Sequence, residues 1–195
     1  MRVLLTLIFV VALLAGGVVI YAWSGHYNIA ATQPHWFVST SFIELLKDRS
    51  IAAHSQGIQV PNLKDPQYAD AAFGHYHGMC RLCHGAPQVP PEKFAKGLYP
   101  SPPGMTDGHI QEEFGAGQLY WIAKHGLKMT GMPAFGPTHD EKQLWGLVAI
   151  VQQMPDMTAD QYRQKIDAMN AHGATGHGHS NAETASDSHD HTEKE

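Results

Sequence analysis

From Val3 to Ala22 the chain runs twenty residues without a charge. Wound as a helix, that stretch covers roughly 30 Å, the thickness of a bilayer's hydrocarbon core. Tyr21 and Trp23 close it, and such rings favour the membrane–water interface. Arg2 is the one basic residue ahead of it, which places the remainder outside the cytoplasm. Residues 1–24 therefore read as a transmembrane anchor or, alternatively, as a signal peptide with small residues near Ala22 and Ser24. Either reading exports the rest of the chain.

Beyond this segment the apolar positions recur at helical spacing, with little strand alternation. Ser41-Phe42-Ile43-Glu44 has the form of a capping box and predicts a helix running towards His54, with Phe42, Leu45, Leu46 and Ala53 on one side. It falls in an extension over 25–61, closed by the linker QVPNLKDP. Asp65 and Pro66 suit the start of a second helix that continues through Tyr68, Ala72, Phe73 and Tyr76 into Cys80. Gly74 inside it suggests a close helix crossing. Six prolines between Gly85 and Gly108 predict loop. A third helix is expected over Gln118 to His125, stopped by Gly126. A fourth follows the capping box Thr138-His139-Asp140-Glu141, with Leu144, Trp145, Leu147, Val148, Val151 and Met154 as its apolar face. A short polar helix is expected over Ala159 to Ala168. The fold class is all-α: a small helical domain over 62–156, a short helix in 157–170, and a tail.

The tail, 171–195, has no large apolar residue and is expected to be disordered. It carries five acidic residues and one lysine, four of the chain's five net negative charges, so the body is near neutral and no nucleic-acid partner is expected. His172, His177, His179, His189 and His191 give the tail the means to bind divalent copper, nickel or zinc weakly; a plain solvated tail is the simpler reading.

The chemistry sits in MCRLCHGAP, which holds the chain's two cysteines, Cys80 and Cys83, with His84 directly behind. A disulfide would close a very small loop of the kind used by reactive redox pairs. A zinc site lacks two of its four ligands. Covalent haem attachment uses all three residues together, both thiols as thioethers and the imidazole on iron. It also consumes two thiols that would be a liability in an oxidising compartment.

Cys80-Arg81-Leu82-Cys83-His84-Gly85, together with Gly131-Met132-Pro133-Ala134-Phe135-Gly136 at its spacing downstream, resembles the class I c-type cytochrome domain, over about Asn62 to Pro155. The resemblance implies a helical domain wrapped around one covalent haem c. It implies Cys80 and Cys83 as the attachment points and His84 and Met132 as axial iron ligands. Met129 competes with Met132; the family pattern favours Met132, and Gly131 and Pro133 beside it suit a close, stiff loop. Met79 and Met105 read as packing. The family orients its ligand histidine on a proline carbonyl, and Pro90, Pro91, Pro100, Pro102 and Pro103 all offer one. His75 and His77 read as core or surface residues, with an alternative iron ligand as the other reading. Gly74 and Trp145 are candidates for the crossing of the first and last domain helices. A haem would also enlarge the thin core that about ninety loop-rich residues can build.

These readings predict a membrane-tethered monohaem cytochrome c rather than an enzyme. It would carry single electrons between redox protein partners outside a bacterial cytoplasmic membrane, single-pass, with the haem domain on the periplasmic side. Lys93, Lys96, Lys124 and Lys128 are either steering charges for an acidic partner or ordinary solvated lysines. The alternatives are a fixed haem subunit of a larger dehydrogenase or oxidase, a haem enzyme or gas sensor with an open sixth site, and a metal-handling protein that uses the tail.

Overall fold

A computed structural model describes residues 1–176. The uncharged stretch forms one helix, α1 (Arg2–Trp23), with no buried residue, long and apolar enough to cross a membrane. The second helix, α2 (Phe37–His54), starts a turn earlier than the capping box at Ser41 predicts, and its N-cap, Trp36, makes no side-chain cap bond. The box is not used because the backbone is already helical there. Thr40 sends its hydroxyl back to the Trp36 carbonyl at 3.3 Å, an arrangement open to Ser and Thr inside a helix. The side of α2 that packs on the domain is that of buried Ile51. The Phe42, Leu45 and Leu46 side is exposed.

The third helix, α3 (Pro66–His75), begins as expected, with Asp65 accepting from the Gln67 N–H at 3.1 Å, as an N-cap carboxylate does. It widens into a π-helical turn over Tyr76–Cys80 and re-tightens as α4 (Arg81–His84). A 3-10 turn over Lys93–Gly97 interrupts the proline-rich loop. The short α5 (His109–Glu113) then leads into α6 (Ala116–His125). The last domain helix, α7 (Glu141–Gln153), starts from Asp140, two residues beyond the expected Thr138. Asp140 accepts from the Gln143 N–H at 2.8 Å, and Gln143 returns a bond to the Asp140 N–H at 2.9 Å. The box is therefore Asp140 to Gln143. Among the described residues no strand forms, and the all-α class holds.

α7 is the centre of the core. Every residue from Leu144 to Ile150 is buried, against α3 on one side and α6 on the other. Trp145 stacks on Tyr120 with ring centroids 4.2 Å apart. The crossing of α3 and α7 is made at Gly146, not at Gly74. A β-carbon on Gly146 would stand 2.5 Å from the Ala72 methyl and 2.5 Å from the Tyr68 carbonyl oxygen. One on Gly74 would meet only the Met169 sulfur, at 3.3 Å. Gly74 thus faces α8 (Ala159–Gly176).

α8 docks through Tyr162, which is fully buried, packs on Phe73 and pairs its hydroxyl with His77 Nδ1 at 2.9 Å. Lys165 adds an ion pair with Asp70 at 2.8 Å. The helix expected to stop at Ala168 runs on to Gly176, so residues 171–176, expected in the disordered tail, continue it. The rest of that tail, with His177, His179, His189 and His191, lies outside the described residues.

Candidate functional site

The two thiols and the imidazole lie on the tightened turn that follows the π-helical segment. Tyr76, in that segment, is fully buried and donates its hydroxyl to the Gly85 carbonyl at 2.8 Å, closing the turn around the cysteines. Gly85 has φ +71°, and the chain reverses there through paired Ala86 and Val89 backbone bonds of 2.8 Å. The Glu92 N–H then returns to the Leu82 carbonyl at 2.8 Å. Arg81 spans the same region, with Nε on the His77 carbonyl at 3.1 Å and a terminal nitrogen 3.2 Å from the Glu92 carboxylate.

Five prolines offered a carbonyl to His84, and the fold selects one. His84 Nδ1 lies 2.8 Å from the Pro103 carbonyl oxygen. A carbonyl can only accept, so Nδ1 carries the proton and Nε2 keeps its lone pair. Burial pushes the His84 pKa below its usual range, which favours the neutral ring a metal needs. Burial, with the neighbouring Cys83 adding, pushes the Cys80 thiol up to about 12. A dithiol redox motif depends on a lowered thiol pKa, so this environment speaks against that use of the pair.

The loop of the second motif is anchored to the end of α6. Phe135 and Gly136 donate their N–H groups to the Ala123 and Lys124 carbonyls at 3.0 and 2.9 Å, satisfying groups the helix terminus leaves open. Thr130 bonds to the Leu127 carbonyl at 2.7 Å and accepts from the Met132 N–H at 3.0 Å. Gly126, at φ +64° and ψ −174°, is required: a β-carbon there would lie 2.7 to 2.8 Å from the Met132–Ala134 backbone. Gly131 sits against Leu98, from the loop between the motifs. Met132 is half-buried, whereas Met129 takes a left-handed turn position and is 74% exposed. Met105 is buried in the core.

His75 and His77 are both engaged away from the motif. The His75 ring meets His139 edge-on at 5.0 Å, and His77 is held by Tyr162. Among the described residues no group of three or more His, Cys, Asp or Glu is arranged to hold a metal ion, so the chemistry is concentrated in the thiol–imidazole turn and the Met loop.

Residues 67–151 match the family described as cytochrome C oxidase, cbb3-type, subunit III. This stretch is a class I c-type cytochrome domain. Such a domain binds haem c covalently and transfers electrons through it. The donor set on these two segments fits that cofactor: two thiols, an imidazole with one nitrogen fixed and the other available, and a half-buried thioether. No curated protein and no solved structure gives a match to the chain.

Several residues that build the site are not marked by the sequence alone. Nothing in the sequence marks Tyr76 and Tyr162 as braces of the cytochrome turn, and Gly126 shows there only as a helix stop. The run Gly126-Leu127-Lys128-Met129-Thr130-Gly131 carries a usable signal, since Thr two residues ahead of Met132 is placed to bond its N–H.

Proposed function

We propose that the chain is a membrane-tethered monohaem cytochrome that carries single electrons between protein partners on the outer side of the cytoplasmic membrane. Cys80 and Cys83 would hold the haem through thioethers, and His84 Nε2 and Met132 would ligate its iron. When bound, the haem supplies an iron that alternates between ferrous and ferric states. The protein's part would be to hold the His84 imidazole and the Met132 thioether in place so that no substrate reaches the iron. The observation that carries the reading is the 2.8 Å bond from His84 Nδ1 to the Pro103 carbonyl, directly behind two thiols. It fixes the ring as a ligand histidine is fixed. α1 supplies the tether, and Arg2 ahead of it supports the outward placement of the domain.

The test is covalency. Denaturing electrophoresis with haem staining should give a stained band, and Cys80→Ser with Cys83→Ser should remove the stain. Complete extraction of haem from the wild-type chain by acid–acetone would sink the attachment.

A second prediction addresses the loop. Gly126→Ala places a side chain against the Met132–Ala134 main chain, in a backbone region essentially reserved for glycine. With a strain on the order of 1–3 kcal/mol, the loop should shift. The sulfur-to-iron band of the oxidised protein should weaken, and cyanide or azide should bind at lower concentration than to wild type. An unaltered band and unaltered ligand binding would show that the loop does not hold the sixth ligand.

The family description names an oxidase subunit, and this favours a second reading, a fixed subunit of such a complex rather than a diffusing carrier. Purification from native membrane separates the two. A carrier comes alone with a c-type reduced-minus-oxidised spectrum, and a subunit brings further haem signals with it. Metal binding by the tail histidines would be a separate property of the tail.

A further inference from the structure

α2 is apolar on two sides. Its inner side meets the domain: Ile51 is buried, the His54 ring lies 5.7 Å from Trp121, and Lys47 Nζ stands 5.9 Å over the Phe114 ring. Its outer side carries Val38, Phe42, Leu45 and Leu46, with Phe37 at the start, each between 52% and 84% exposed. Spacings of four, three and one place these residues on one stripe, and exposed Arg49 continues it. A helix with apolar residues on opposite sides is built to be covered on both, and a patch of this kind marks an interaction surface.

A chain of contacts places the start of α2 beside the end of α1. Tyr21, in the last turn of α1, is 6.0 Å from Trp36, which immediately precedes α2. Trp36 meets Tyr27 edge-on at 5.9 Å. The Tyr27 hydroxyl pairs with His35 Nδ1 at 2.9 Å, and the His35 N–H donates to the Tyr99 hydroxyl at 3.0 Å. Tyr99 belongs to the loop that also presents Pro103 to His84. The end of the span, the start of α2 and the loop behind the imidazole are thus one clamped unit. If α1 crosses a bilayer, Tyr21 lies at its interface, and its contact with Trp36 brings the first residue before α2 to the same depth.

We propose that α2 lies along the lipid surface, with Val38, Phe42, Leu45 and Leu46 in the headgroup–acyl boundary and Arg49 reaching up to phosphate. An interfacial helix buries its apolar face about 5–10 Å into that boundary, and a long basic side chain can keep its head in water. The cytochrome domain is then held in one attitude against the membrane instead of swinging on a flexible tether. This inference rests on the reading of α1 as an anchor.

Photo-crosslinking of the full haem-bearing chain in nanodiscs of phosphatidylcholine and phosphatidylglycerol tests it. p-Benzoylphenylalanine is placed singly at Phe42, at Leu45, at Glu44 on a different side of α2, and at Val10 inside α1. After irradiation, intact mass should increase by one phospholipid for the labels at positions 42, 45 and 10, and not for the label at 44. Adducts at position 10 alone would overturn the proposal while leaving the anchor standing. No adduct at position 10 would remove the anchor and the proposal together. A product of twice the chain mass from position 42 or 45 would assign the stripe to a second copy of the chain and overturn the lipid assignment.

Discussion

Met132→Ala should abolish the weak near-infrared sulfur-to-iron band of the oxidised protein and lower its reduction potential substantially, within the roughly 0.8 V over which the choice of axial ligands tunes haem. A thioether stabilises ferrous iron, so its loss favours the ferric state. The emptied position should bind exogenous ligands and acquire some peroxidase activity. Met129→Ala is the control. Met129 is 74% exposed in a left-handed turn. Its truncation should keep the band, the potential and the closed sixth site, and change stability by no more than about 0.5 kcal/mol, as exposed substitutions usually do. Redox titration and near-infrared absorption of the two variants decide the matter. Loss of the band from Met129→Ala alone would transfer the ligand to that residue. An unchanged spectrum in both would remove the thioether from the site and leave the electron-carrier reading without its chemical support.

The largest stability effect is expected at the α3–α7 crossing. Gly146→Val would drive two methyl groups into a space where even the first carbon stands 2.5 Å from the Ala72 methyl and from the Tyr68 carbonyl oxygen. Overpacking of a tight core costs about 1–3 kcal/mol, occasionally more, and this site belongs at the upper end because one obstacle is main chain. Against a total stability of roughly 5–15 kcal/mol, that is a large share. Thermal unfolding followed by Soret circular dichroism should show a clear drop in Tm. Gly74→Ala reads the alternative crossing. Its added carbon meets only the flexible Met169 side chain. The variant should therefore be neutral or gain up to about 1 kcal/mol of helix propensity. A Gly74→Ala variant that unfolds far earlier than Gly146→Val would return the crossing to Gly74.

The contrast between these two glycines also marks how far the sequence can be read. CxxCH and the Met132 loop are legible because each is a short local pattern whose chemistry needs its residues side by side. The helix ends followed from Asp65, Pro66 and Gly126 for similar reasons. Which glycine meets another helix is not local: it depends on the rotation of α3 against α7, and nothing within four residues of Gly74 or Gly146 specifies that. The stripe on α2 has the same history. Periodicity reveals that Phe42, Leu45 and Leu46 share a side, but Ile51 and His54 on the other side are what the domain accepts. The π-helical turn is not legible in the sequence because its backbone lies close to α geometry and its residues, Tyr76 to Cys80, carry no distinguishing preference. The shifted capping box arose because Thr138 and Asp140 are both competent caps, and the reciprocal bond to Gln143 decided between them.

The bond that orients His84 ends on a main-chain oxygen. No exchange of side chain at position 103 deletes that acceptor, since every amino acid carries one. The residue at position 103 can therefore change while the imidazole keeps its acceptor, provided the rest of the segment back to Gly85, which carries the Leu98 contact with Gly131 and the Tyr99 bond to His35, keeps its path. Adding or removing a single residue there would deliver a different carbonyl, or none. For anyone grafting or trimming this loop, its length is the quantity that position 103 inherits, and the spelling of that one position is free.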